Sequence, residues 1–284
     1  MNVLSLFDGI SAGQLALQRA VIKVENYYAS EIDKYAIHIT QKNFPNTIQL
    51  GSVIDWNKWN INFSKIDMVI GGSPCQGFSF AGKQLNFDDP RSRLFFDYVN
   101  ILNHIRVLNP NVKFLLENVR MKQEYQDVIS KFLGVPPIFI NSSLVSGQNR
   151  PRLYWTNIDG VELPNDKEIV LLDVIEKNEV DSKYFLTKEG IDYMSRLRNG
   201  KPRWEYHKNP IMGKAACLTA NMYKGIPYGV IEKLLRKLTP IECERLQTFP
   251  DNYTEGISNT QRYKSLGNGW TVDVISHIFS YIKK

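Results

Sequence analysis

The stretch NVLSLFDGISAG, residues 2–13, sets a short apolar run directly against a glycine-bearing turn. NVLSLF (2–7) reads as a buried strand and DGISAG as the loop after it. A helix is expected from about Gln14, carrying Leu15, Leu17 and Ala20. The same grammar repeats downstream. VENYYAS (24–30) reads as a second strand, DKYAIHITQKNF (33–44) as a helix, and IDMVIGG (66–72) as a further strand. A long helix should follow DDPRS, because Leu94, Phe95, Tyr98, Val99, Leu102 and Ile105 share one helical face. NVKFLLENV (111–119) is another buried strand. Such alternation predicts an α/β fold, right-handed crossover units around a doubly wound, mostly parallel sheet. Ligands of these sheets sit beyond the carboxyl ends of the strands. FDGISAG, SEID, GGSPCQGFSF and LLENV all follow strands and should meet on one rim.

The pattern changes near Gly160. Residues 160–235 are irregular and basic, as in KPRWEYHKNPIMGK and MYKGIPYG. Helix resumes at LTPIECERL, where Thr239 suits an N-cap, Pro240 the first turn and Glu242 the far end of a capping box. WTVDVISHIFSYI (270–282) should form a last helix with Val272, Ile275, Ile278 and Phe279 on its apolar face.

Bulk properties narrow the class. The three cysteines, Cys75, Cys217 and Cys243, are widely spaced, which argues against a disulfide framework and for a reducing compartment. No C-x-x-C or H-E-x-x-H pattern occurs, so no metal site is expected. The amino terminus lacks a basic stretch followed by a long apolar run, and no segment reaches membrane-spanning length. A soluble, cytoplasmic protein with no membrane partner is expected. The net charge of +6 leans towards an anionic partner.

Several rim residues suggest chemistry. Glu31 lies 22 positions beyond Gly9, the layout of a nucleoside-binding unit in which a carboxylate ending the second strand accepts from ribose hydroxyls. The loop is not G-x-G-x-x-G, so a nucleoside without phosphates, such as S-adenosylmethionine, fits better than a pyrophosphate. Cys75 sits on the loop after a strand, where a thiol is placed to meet a ligand, although alone it could be a small packed thiol. Glu117 ends a parallel strand, where a carboxylate is costly to desolvate unless paired; it is open to a catalytic role or to tying two loops together. QNRPRLYW supplies Gln148, Arg150 and Arg152. On an extended segment alternate residues share a face, so Arg150 and Arg152 should project together.

FDGISAG, SEID, GGSPCQGFS, ENV, QNRPR, RKLTPIECERLQTFP and GNGWTV, in this order, resemble the motifs of the DNA cytosine-5-methyltransferases from end to end. The likeness covers nearly all of the chain except residues 160–210. LFDGISAG and GNGWTVDVI look most like the catalytic domains of the animal de novo enzymes and their bacterial and phage relatives. The resemblance implies a catalytic and cofactor-binding domain over 1–159, completed by 262–284, and a target-recognition domain over 160–261. It implies S-adenosylmethionine as methyl donor and duplex DNA as partner. Cys75 would add to carbon 6 of a flipped cytosine, Glu117 would act at ring nitrogen 3, Arg152 would hold the carbonyl oxygen and Arg150 would brace the catalytic loop. Phe7, Asp8, Gly9, Ile10, Glu31, Ile32, Ser52, Val53, Leu94 and Asn268 would line the cofactor pocket, and Gln76, Ser79 and Lys83 would meet DNA. One departure stands out: Ser52 occupies the place of an aspartate that takes the adenine amino group in the family, so that contact should be weaker.

Three rivals stay open. A transfer RNA methylase of the same fold is suggested by ACLTANMY with Cys217; the others are a silent DNA-binding relative and a nucleotide-level pyrimidine methylase. The sequence leaves open the DNA site, a cognate restriction endonuclease, a bacterial or phage origin, and whether the chain is a monomer or a weak oligomer.

Overall fold

A computed structural model describes residues 1–74, 90–207, 209–226 and 228–282; the side chains of 90–92, 206, 207 and 232 fall outside that description. The chain divides into two compact units. The first is Met1–Ile140 with Pro151–Leu163 and Ile275–Lys284, and the second is Asn141–Arg150 with Pro164–Val274. The division falls close to the boundary read near residue 160, but Asn141–Arg150 and residues 262–274 also belong to the second unit.

The first unit is built on β1 (Asn2–Leu6), β2 (Asn26–Ser30), β3 (Ile48–Gln49), β4 (Met68–Gly71), β5 (Lys113–Val119), β6 (Ile138–Asn141) and β7 (Pro151–Thr156). The sheet order is β3-β2-β1-β4-β5-β7-β6. β1 pairs in parallel with β2 and β4, and β4 with β5, while β7 runs antiparallel to β5. The chain leaves β1 towards β2 on one side and later enters β4 on the other. The switch point therefore lies between the carboxyl ends of β1 and β4, where an open α/β sheet receives its ligand.

The strands are apolar on both faces because helices cover them. Of α1 (Ala12–Arg19), α2 (Lys34–Asn43), α3 (Pro90–Leu108) and α4 (Gln123–Leu133), the third contributes most to the core. Its Phe95, Tyr98, Leu102 and Ile105 are buried with Leu4, Leu6, Val69, Phe114 and Leu116. Gly71 allows this fit: a Cβ there would lie 2.8 Å from the Leu6 carbonyl oxygen and 3.1 Å from the Tyr98 ring. Strand and helix limits differ from the sequence reading for a local reason. Phe7 and Ser11 take φ of 59° and 56°, which ends β1 at Leu6 and lets α1 begin at Ala12.

In the second unit, short pieces replace long ones. α5 (Leu171–Val174), α6 (Lys188–Ser195), the hairpin of β8 (Leu197–Arg198) and β9 (Lys201–Pro202), and α7 (Trp204–His207) are followed by the pair β10 (Val230–Ile231) and β11 (Arg236–Lys237). Then come α8 (Pro240–Leu246), α9 (Asn259–Asn268) and α10 (Val272–Phe279), the last passing into the first unit at Ile275. The expected capping box is present: Thr239 Oγ1 accepts from Glu242 N at 3.2 Å, and Glu242 Oε2 accepts from Thr239 N at 2.8 Å.

Candidate active site

The loop after β1 is held in an unusual shape. Phe7, Gly9 and Ser11 all have positive φ, and the two non-glycine residues there cost about 1 kcal/mol or more each. Three groups offset that strain. Asp8 N donates to Ser30 O at 3.1 Å, Tyr27 Oη donates to Asp8 Oδ1 at 2.7 Å, and Ser11 Oγ donates to Asp8 Oδ2. Burial pushes the Asp8 carboxyl up to about 6, against the hydrogen bonds from Ser11, Ser5 and Tyr27 that favour its charge. Asp8 was expected among the cofactor residues. Its carboxyl accepts from the hydroxyls of Ser11 in the loop and Tyr27 in β2, bonds that hold the loop in shape.

Glu31, just past β2, faces this loop. Its Oε2 accepts from Gly9 N at 2.8 Å, and its Oε1 accepts from Ile32 N at 2.7 Å and Asp33 N at 2.8 Å. A carboxylate offers about four lone-pair directions, so these three bonds fix its orientation and leave Oε2 able to accept one more. The Gly9 N–H, which would face a phosphate in a dinucleotide site, is already given to Glu31. The donor set therefore suits a hydroxyl-bearing nucleoside and opposes a pyrophosphate. Ile32 beside it is 77% exposed. Phe7 and Leu94 are half-buried, whereas Ile10 and Val53 are buried and support the rim from within the fold. Ser52 caps the following turn, its Oγ accepting from Ile54 N at 3.3 Å.

At β5 Glu117 is paired, which lowers the cost of its burial. Arg152 Nε lies 2.8 Å from Glu117 Oε1, with both side chains 12% exposed. The register explains the meeting: Glu117 stands opposite Tyr154 and Val119 opposite Arg152, so the two are diagonal neighbours on one face of an antiparallel pair. Arg152 also donates from Nη1 to Pro151 O at 2.9 Å. The next residue, Asn118, adds a function that sequence reading passed over. Its Nδ2 donates to both Ser73 O and Ser73 Oγ at 3.3 Å, tying β5 to the backbone two residues before Cys75. Its place beside Glu117 at a strand end was the available signal. Cys75, Gln76, Ser79 and Lys83 lie outside the described residues.

Arg150 departs from expectation. Pro151 opens β7, so Arg150 precedes the strand and the alternation that would align it with Arg152 does not apply. It is 2% exposed, donating from Nη1 to Leu218 O at 2.8 Å and from Nη2 to Gly267 O at 3.1 Å and Gly269 O at 2.8 Å. These bonds brace two segments of the second unit, whereas the catalytic loop that Arg150 was expected to brace lies outside the described residues. Asn268, expected at the cofactor, is the last residue of α9 in the second unit.

A model of the C-5 cytosine-specific DNA methylases matches residues 1–131 and 148–284. The chain belongs to that family. Type II methyltransferase M1.ScrFI of Lactococcus lactis subsp. cremoris is 31% identical, the match spanning 98% of this chain and 76% of that protein. Type II methyltransferase M.HpaII of Haemophilus parainfluenzae is 30% identical over 96% of this chain and 86% of its own length. The fold is shared with the Entamoeba histolytica methyltransferase EhMeth, with a TM-score of 0.76 at 19% identity, covering 99% of this chain and 97% of that one.

Proposed function

We propose that the protein transfers a methyl group from S-adenosylmethionine to carbon 5 of a flipped cytosine in duplex DNA, through a covalent adduct with Cys75. The observation that carries this reading is the Glu117–Arg152 pair, held at 2.8 Å across β5 and β7, with β5 beside the strand that leads towards Cys75. Carbon 5 of cytosine is a weak nucleophile. Addition of the Cys75 thiolate at carbon 6 breaks the ring's aromaticity and makes carbon 5 enamine-like. Glu117 serves ring nitrogen 3, and Arg152 supplies positive charge for the neighbouring carbonyl oxygen as the thiolate adds. Asn118 holds the root of the cysteine loop through Ser73. The cofactor supplies an electrophilic methyl group when bound. Glu31 takes its ribose hydroxyls, Ile32 and Phe7 flank its base, and Ser52 gives its amino group a neutral partner; for Asn268 the family resemblance alone carries the assignment. A base, such as water, then takes the carbon 5 proton, the freed electron pair restores the 5,6 double bond, and the bond from carbon 6 to Cys75 breaks with the thiolate leaving.

Relatives named as Type II methyltransferases support a bacterial or phage restriction-modification setting in the cytoplasm, with a cognate endonuclease as partner. Among the described residues no helix is long and apolar enough to cross a membrane. The second unit supplies target recognition in this reading. The transfer RNA alternative rested on Cys217. That thiol receives Arg150 Nη1 at 3.4 Å and donates to Leu218 O at 3.5 Å, contacts that support a packing role for it.

The test is incubation of wild type and Cys75→Ser with tritiated S-adenosylmethionine and mixed-sequence duplex DNA, with transfer RNA in parallel. Label should enter DNA with wild type only, and sequencing of the product should find 5-methylcytosine. Label in RNA alone would sink the DNA reading.

A further inference from the structure

The loop after β1 is gripped from within the fold by a residue that lies outside the quoted motifs. Tyr27 stands in β2, is 3% exposed, and donates from Oη to Asp8 Oδ1 at 2.7 Å across 19 residues. β1 and β2 pair in parallel with Val3 opposite Tyr27 and Ser5 opposite Ala29, so Tyr27 and Ser5 lie on one face of the sheet. From that face both hydroxyls reach the Asp8 carboxyl, and the fully buried Ser11 reaches it from the loop itself.

The end of β2 holds the same loop at two further points. Asp8 N donates to Ser30 O at 3.1 Å, and Gly9 N donates to Glu31 Oε2 at 2.8 Å. From α2, Thr40 Oγ1 donates to Gly9 O at 3.3 Å. Between these anchors Phe7, Gly9 and Ser11 keep φ of 59°, 60° and 56°. Left-handed backbone at the two non-glycine residues persists only where the surroundings over-determine it. A donor taken from a buried carboxylate costs more than one taken from a neutral acceptor. Loss of the Tyr27 hydroxyl therefore lets the turn relax and draws Gly9 N away from Glu31 Oε2. Glu31 then loses one of the three bonds that orient it.

We propose that Tyr27 is a positioning residue for S-adenosylmethionine: through Asp8 it keeps the β1–α1 loop in the shape that aims Glu31 at the ribose. The proposal rests on the cofactor reading above. It deepens that reading by naming a residue that sets cofactor affinity from a buried place in β2, through Asp8 and Gly9.

The test compares wild type, Tyr27→Phe, Asp8→Ala and the double variant, each checked for folding by denaturant unfolding. Calorimetry measures Kd for S-adenosylhomocysteine and for its 2′-deoxy analogue, and kinetics give kcat and both KM values. In Tyr27→Phe, Kd for S-adenosylhomocysteine and KM for S-adenosylmethionine should rise about tenfold, the scale of one hydrogen bond to a charged group. kcat at saturating cofactor and KM for DNA should stay as in wild type. Wild type should prefer the ribose ligand about tenfold over the 2′-deoxy one, and Tyr27→Phe should narrow that preference to about threefold. A general loosening of the fold would weaken both ligands alike and leave the ratio as it was. Asp8→Ala removes the same bond from its other end and should narrow the ratio too, so the proposal stays testable if one variant does not fold. In that background Tyr27→Phe should add nothing. An unchanged Kd in folded Tyr27→Phe would overturn the proposal, as would an unchanged ratio, a fall in kcat alone, or additive effects in the double variant. A wild type that binds neither ligand, or both equally, would instead remove the cofactor reading of Glu31 itself, a failure visible before any variant is made.

Discussion

The two units use polar residues in opposite ways. In the first, the interior is apolar, and polar side chains gather at strand ends, where Glu31 and Glu117 are half-buried. In the second, charged and amide side chains are buried alongside the apolar ones. Gln148, Arg150, Arg236, Glu242, Glu244 and Gln247 are all buried, and each is spent on protein partners. Arg236 grips Glu242 through two bonds of 2.8 and 2.6 Å, and Arg262 meets Glu244 at 2.9 Å. Gln247 donates to Leu266 O at 2.7 Å and Gly269 O at 2.9 Å. A motif letter therefore marks a strand-end pair in one unit and internal bracing in the other. QNRPR contains both: Arg152 pairs with Glu117, while Gln148 donates to Leu246 O at 2.6 Å and Arg150 holds three carbonyls.

The strongest way to break that contrast is Gly267→Ala. A Cβ at Gly267 would lie 2.2 Å from the Thr219 carbonyl carbon, 2.3 Å from its oxygen and 2.4 Å from Ala220 N. All three are backbone atoms, so no rotamer change relieves the collision. The glycine of GNGW is thus required by the backbone of LTA, two motifs whose connection sequence spacing does not reveal. Unfolding by denaturant should show a loss of about 3 kcal/mol or more, or failure of the second unit to fold. Normal stability with lost methylation would mean that this motif carries chemistry after all.

How far the sequence was legible follows from the same contrast. β1, β2, β4 and β5 could be read because a buried parallel strand is a continuous apolar run, and α3 because its buried face repeats at helical spacing. The rim followed from topology. The capping box at Thr239 was also legible, being a local pattern within four residues. What could not be read were side chains committed over long separations. Arg150 bonds to Gly267 across 117 residues, and Asn118 to Ser73 across 45. Asp8 lies in a motif whose letters suggest a ligand contact, yet its carboxyl is occupied by Tyr27 and Ser11. The hairpin at 196–203 looked like irregular basic surface because its strands are only two residues each.

Asp8 offers a middle-sized test, one that a purely ligand-binding rim would fail. Burial raises its folded pKa to about 6 from 3.8, so the native state holds this proton more tightly than the unfolded chain does. Stability then falls as pH rises from about 4 to about 6 and is level above that. The gap corresponds to as much as about 3 kcal/mol, with roughly half of that a fairer expectation for a residue only part-buried as a whole. Asp8→Asn keeps an acceptor for Tyr27 and cannot ionise. Denaturant unfolding should find the variant equal to wild type near pH 4 and about 1–2 kcal/mol more stable near pH 7. Parallel stability curves for the two proteins across this range would refute the account of a buried, loop-shaping carboxyl.

The smallest expected effect sharpens the division of labour within the first unit. Asn118 is buried like the polar residues of the second unit, yet it stands next to a residue assigned to chemistry. Its partner Ser73 lies two residues before Cys75, so removing its amide group should loosen the placement of the thiol without touching Glu31 or Ile32. Asn118→Ala should lower kcat about tenfold, equivalent to about 1.4 kcal/mol in the barrier, with cofactor affinity unchanged. Stability should fall by about 1–2 kcal/mol, because the side chain's hydrogen bonds to Ser73 and to Val119 N are lost together. A fall in cofactor affinity matching the fall in kcat would show that β5 and the β1–β2 rim move as one piece. A fall in kcat alone would show that the cysteine loop is positioned separately, by an architectural residue working inside a chemical site.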